Sequence, residues 1–65
     1  MSDIDTLKAE VKALNARATR LKMDLHDLSE DLPVGWERIP AVAAECHAAY
    51  EGLAAARARL RAAEG

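Results

Sequence analysis

His26 and Glu30 stand four residues apart, and Asp27 and Glu30 three apart. On a helix, those spacings bring side chains to one outward face. One imidazole and two carboxylates are part of a donor set for a divalent ion such as iron, nickel or zinc. Three donors on an open face hold an ion weakly, so water, a second chain or a client must supply the rest. The plainer reading of His26, Asp27 and Glu30 is a solvated acidic face that favours solubility.

The acids extend beyond that trio. Residues 24–37 hold Asp24, Asp27, Glu30, Asp31 and Glu37 and no Lys or Arg. Four of these fall where a helix should be closing. The carboxyl end of a helix is already negative, and each acid there costs about 0.3–1 kcal/mol. Elsewhere the sequence respects that polarity, with Asp3 and Asp5 early and Arg57, Arg59 and Arg61 late. A local rule broken in one place points to function. Asp24 and Asp31, together with the two aromatics Trp36 and Tyr50, are therefore the expected contacts for a protein partner.

The other reactive residue types read more simply. Cys46 and His47 are adjacent, and adjacent helical residues point in different directions. Cys46 falls on an apolar seam, as a small buried thiol; His47 should be exposed. The basic residues Lys8, Lys12, Arg57, Arg59 and Arg61 gather near the chain ends, and Arg17, Arg20 and Lys22 lie mid-helix. An RNA-binding hairpin would interleave such a stripe with stacking aromatics. Here the aromatics lie toward the acidic end, so ion pairing with Asp3, Asp5 and Glu10 is the expected use, and nucleic-acid binding is not. There is no phosphate-cradling glycine loop and no nucleophile–base pair. The chain reads as something other than an enzyme.

Two long elements must position these residues. In the first half the apolar positions run Ile4, Leu7, Val11, Leu14, Ala18, Leu21, Leu25, Leu28, Leu32, alternating steps of three and four. That is a heptad seam. It predicts a helix over about 3–31, capped by Ser2 or Asp3 and roughly 40–45 Å long. Pro33 ends it, because a proline disfavours helical geometry in the residue before it. Residues 32–35 form the turn. The second seam reads Ile39, Val42, Cys46, Ala49, Leu53, Ala56, Leu60, Ala63, giving a helix over about 36–63 whose opening is made irregular by Pro40.

Folding the chain back at residues 33–34 pairs seam positions whose numbers sum to 67. The layers are Leu28 with Ile39, Leu25 with Val42, Leu21 with Cys46 and Ala18 with Ala49, then Leu14 with Leu53, Val11 with Ala56, Leu7 with Leu60 and Ile4 with Ala63. The fold class is all-α, a single-domain antiparallel two-helix hairpin. Its 65 residues supply little core on their own, and one cysteine allows no internal disulfide. A second copy closing the seam into a four-helix bundle is the simplest remedy. Trp36, Ala43 and Tyr50, spaced by sevens along one flank, would add to that homodimer contact.

Global properties narrow the setting. A net charge of −2 from 9 basic and 11 acidic residues gives no general attraction to nucleic acid or anionic lipid. No apolar run is long enough to span a bilayer. The acidic start lacks a hydrophobic signal core, and the lone cysteine suits a reducing compartment, so a cytoplasmic protein is expected.

The stretch Lys22-Met23-Asp24-Leu25-His26-Asp27-Leu28-Ser29-Glu30-Asp31-Leu32-Pro33 resembles the signature of the Rop-like family of small nitrogen-fixation proteins, and the likeness runs from about Leu7 to Leu60. Gly35-Trp36-Glu37-Arg38-Ile39-Pro40 departs from the regular helix start that the family would suggest. The resemblance implies a dimerising hairpin with an accessory role in nitrogenase maturation or protection. It also implies a nitrogenase component or maturation protein as partner, and for some relatives a bound metal.

Overall fold

The computed structural model describes residues 3–65; Ser2, one of the two expected caps, lies outside them. Helix α1 spans Asp3–Asp31, a 3-10 turn covers Trp36–Arg38, and helix α2 spans Ile39–Glu64. The described residues contain no strand. The two helices pack antiparallel into a rod of 48 × 14 × 12 Å. Its radius of gyration is 14.9 Å, against about 11 Å for a compact chain of this length.

The core is a narrow line between the helices. Ala18, Leu21, Cys46, Ala49 and Leu53 form one buried cluster, with Val11, Leu14 and Leu25 packed against it. These are the central layers of the register in which paired numbers sum to 67. Ala18 and Ala56 are fully buried and Leu53 nearly so. Small residues facing one another in the Ala18–Ala49 layer let the helices approach closely there. Toward the chain ends the seam opens: Ile4, Leu7 and Leu60 are only half-buried and Ala63 is exposed.

The turn is built by backbone geometry. Asp31 ends α1, and the Val34 N–H donates to its carbonyl at 3.0 Å. Gly35 sits at φ 77°, ψ 14°, the left-handed region that side chains with a Cβ avoid. From there the Arg38 N–H donates to the Gly35 carbonyl at 2.9 Å, closing the 3-10 turn before α2 begins. Pro40 falls in the first turn of α2, where its missing N–H removes no helical bond. This tight opening changes the outermost layer. A Cβ placed on Gly35 would lie 3.2 Å from Leu28 Cδ1, so the turn backbone itself covers Leu28. Ile39, the partner expected for Leu28, is 39% exposed.

Candidate functional site

The seven-residue spacing gives the rod two distinct flanks, because seven residues return to nearly the same angle on a helix. Two polar contacts between the helices mark them. On one flank Arg59 Nη2 donates to Glu10 Oε1 at 2.6 Å. On the other, Arg57 Nη2 donates to Asn15 Oδ1 at 3.4 Å. Counting by sevens from Glu10 leads to Arg17, Asp24 and Asp31, and from Arg59 to Gly52, Glu45 and Arg38. Counting by sevens from Arg57 leads instead to Tyr50, Ala43 and Trp36. The acidic residues of α1 and the Ala43–Tyr50 side of α2 are therefore on opposite sides of the hairpin; Trp36 precedes α2, in the 3-10 turn, where counting by sevens no longer applies.

On the acidic flank, the last turns of α1 and the connecting turn enclose an open groove of about 320 Å³, lined by Asp24, Asp27, Leu28, Asp31, Val34, Gly35 and Arg38. Asp24, Asp27 and Asp31 form its acidic wall and Arg38 brings one opposing cation. Leu28, Val34 and Gly35 supply apolar surface. No basic residue lies in the last turn of α1, so the helix carbonyl end adds to the negative potential of the three carboxylates.

His26 lies apart from that groove. Its Nε2 is 3.3 Å from Glu30 Oε1 and its Nδ1 is 3.6 Å from Asp27 Oδ1, with all three side chains more than half exposed. The Ser29 hydroxyl donates to the His26 carbonyl at 2.7 Å. The structure thus brings the three candidate donors together but divides them between the two ring nitrogens. A single ion on Nε2 would have Glu30 beside it, while Asp27 faces the other nitrogen. Among the described residues, no three His, Cys, Asp or Glu side chains converge on a point that could hold a metal ion. On each side of the ring only one carboxylate meets a nitrogen, far short of the closed four-donor set of a structural zinc site. Cys46 is buried in the seam and His47 is exposed.

The partner candidates separate in the same way. Asp24 and Asp31 line the groove, joined by Asp27. Trp36 is 61% exposed and Tyr50 40% exposed, but Trp36 lies in the 3-10 turn before α2, while Tyr50 lies roughly 16 Å along α2 from its start at about 1.5 Å per residue. Trp36 belongs to the turn end and Tyr50 to the rod's side. Sequence reasoning did not pick out Val34, Gly35 and Arg38 as site residues. The signal was the run Leu32-Pro33-Val34-Gly35-Trp36, apolar where a turn is ordinarily polar.

The profile of the Rop-like family matches residues 2–65. The chain belongs to the Rop-like family. Curated relatives extend the likeness over nearly its whole length. It is 52% identical over 61 residues to a UPF0437 protein of Azorhizobium caulinodans, covering 94% of this chain and 88% of the relative. It is 43% identical to a UPF0437 protein of Trichormus variabilis, covering 94% of this chain and 71% of the relative. A third relative, from Frankia alni, is 46% identical over 52 residues, covering 80% of this chain and 63% of its own length; it is named for its place in the nifX-nifW intergenic region. No solved structure matches the chain. No helix among the described residues is long and apolar enough to cross a membrane.

Proposed function

We propose that this Rop-like chain is a non-catalytic accessory protein of nitrogen fixation, a cytoplasmic homodimer that docks on a nitrogenase component or maturation protein through its turn end. One observation carries the docking reading. Among the described residues the large exposed hydrophobics are Met23, Leu32, Val34, Trp36, Ile39 and Tyr50, and four of these six fall within residues 32–39. Val34 is 73% exposed. Apolar side chains gathered at one tip of an otherwise polar rod mark an interaction surface. The link to nitrogen fixation rests on the Frankia alni relative, whose name places it between nifX and nifW.

The dimer rests on area. The chain exposes 4836 Å². A compact chain of 7.0 kDa scales to about 4,000 Å², so the rod carries an excess of roughly 800 Å². That is about what each partner contributes to a standard interface. The half-buried seam residues Leu7, Leu14, Leu25, Val42 and Leu60 are the surface such a contact would cover. Ala43 and Tyr50 on α2 would add to that contact, and Trp36 in the 3-10 turn stays with the docking end.

Affinity capture from nitrogen-fixing cells tests the docking reading. The wild-type chain should enrich a nitrogenase component or maturation protein, and the double variant Val34→Asp/Trp36→Ala should lose it while keeping its helix content. Equal enrichment by both proteins, or no nitrogenase-associated protein with the wild type, would overturn it.

A second reading is favoured by the 3.3 Å approach of His26 Nε2 to Glu30 Oε1. In that reading the pair clips a divalent ion such as iron, nickel or zinc, and a second copy or the client completes the donor set. RNA binding has less support, since Arg57 and Arg59 are turned to Asn15 and Glu10.

A further inference from the structure

We infer that the two copies of the proposed homodimer lie with opposite polarity, each turn end beside the open end of the other copy, so that the assembly carries one docking tip at each pole. This rests on the homodimer proposed above and fixes where its docking tips stand.

The extent of the contact follows from area. The rod exposes 4836 Å², roughly 800 Å² more than a compact chain of its mass, and that is one side of a standard interface. A flank of a rod measuring 48 × 14 × 12 Å is of that order, so two copies overlap along nearly its whole length.

With full overlap, bulk in the seam distinguishes the two polarities. Leu14 with Leu53 is a layer of large side chains, and the neighbouring Ala18 with Ala49 is a layer of small ones. These two stand at the middle of the eight paired layers. Copies of the same polarity would set each layer on its own equivalent, four alanines in one and four leucines in the next. The first underfills the bundle and the second crowds it, and both destabilise a core. Opposite polarity sets Leu14–Leu53 of each copy over Ala18–Ala49 of the other. Leu14 is the half-buried member of these layers, and a partner's alanine layer leaves room for it. The half-buried residues Leu25 and Val42 then face Leu7 and Leu60, which are also half-buried.

Charge selects the same polarity. Residues 24–43 hold five acids and one base, and the remainder of the chain holds six acids and eight bases. Two turn ends side by side would repel, whereas a turn end beside an open end brings acids to Lys8, Lys12 and Arg61. Like charges juxtaposed at an interface are costly, and complementary ones fix its register. The exposed apolar tips at Leu32, Val34, Trp36 and Ile39 therefore stand about one rod length apart, 48 Å, as two separate docking places and not one composite site.

Pulsed dipolar spectroscopy tests this with a nitroxide label on Val34→Cys in a Cys46→Ala background. The label-to-label distance in the dimer should be close to the 48 Å rod length. A short distance, set by the 14 × 12 Å section of the rod, would overturn the inference. Sedimentation of the otherwise unaltered Asp27→Asn/Asp31→Asn variant gives an independent sign. Opposite polarity loses an attraction, so the dimer should weaken roughly three- to tenfold. Unchanged or tighter association would overturn the inference, because same-polarity copies would be relieved of a repulsion; this arm decides if the labelled chain fails to associate. A wild type that sediments as a folded monomer would remove the homodimer and its polarity together. Client capture with Val34→Asp/Trp36→Ala tests the docking reading by itself, whichever polarity is found.

Discussion

At the residue scale, Gly35 and His26 test the two parts of the turn end separately. Gly35 holds the left-handed conformation that lets the chain reverse, and its missing Cβ makes room for Leu28 Cδ1. Gly35→Ala should cost about 1–2 kcal/mol from the backbone alone, with a further loss as Leu28 is displaced. Thermal unfolding followed by circular dichroism measures this, and an unchanged midpoint would show that the turn relaxes freely. His26 is outside the core and more than half exposed, so His26→Ala should leave that midpoint almost unmoved. If the His26–Glu30 clip holds an ion, His26→Ala should abolish binding and Glu30→Gln should weaken it, because a neutral amide is a poorer ligand. Calorimetric titration of all three proteins with ferrous, nickel and zinc ions decides, and identical isotherms would remove the metal reading. The sequence showed that His26, Asp27 and Glu30 share a region. It did not show that the ring would divide the two carboxylates, because spacing fixes the helix face and the rotamer fixes which nitrogen meets which acid.

At the scale of the elements, the hairpin was legible because both seams keep an unbroken three–four alternation and share one register. The central layers from Ala18–Ala49 to Leu14–Leu53 follow directly from that pattern. What the pattern did not show was the opening of α2. Trp36–Arg38 form a 3-10 turn, Gly35 lies close over Leu28 and Ile39 is exposed; the turn depends on dihedrals that periodicity does not encode. Gly52 offers a test of α2 itself. It lies mid-helix, and a Cβ added there meets nothing within 4 Å. Alanine at such a site gains about 0.5–1 kcal/mol of helix stability. Gly52→Ala should therefore raise the melting midpoint of the single hairpin. A lowered midpoint would mean that another chain packs closely against that position.

At the scale of the whole molecule, the question is how a core one layer wide stays folded. A chain of this size draws roughly 3–5 kcal/mol from a single core, and this core runs as a line with half-buried seam residues at both ends. The surface excess of the rod matches one side of a standard interface, so folding and association should be a single event. Sedimentation should then show a species near twice 7.0 kDa at micromolar concentration, and the melting midpoint should rise with protein concentration, as linkage requires. Leu53 is the most sensitive place to test this coupling, since among the described residues it is the largest side chain with almost no exposure. Leu53→Ala should remove about 2–5 kcal/mol, comparable to everything one hairpin has. The variant should therefore be largely unfolded when dilute and recover helix content as concentration increases, because association stabilises the folded chain by mass action. A variant that melts at one temperature across a hundredfold range of concentration, or a wild type that sediments as a folded monomer, would show that the single hairpin is sufficient and would remove the dimer from the proposal.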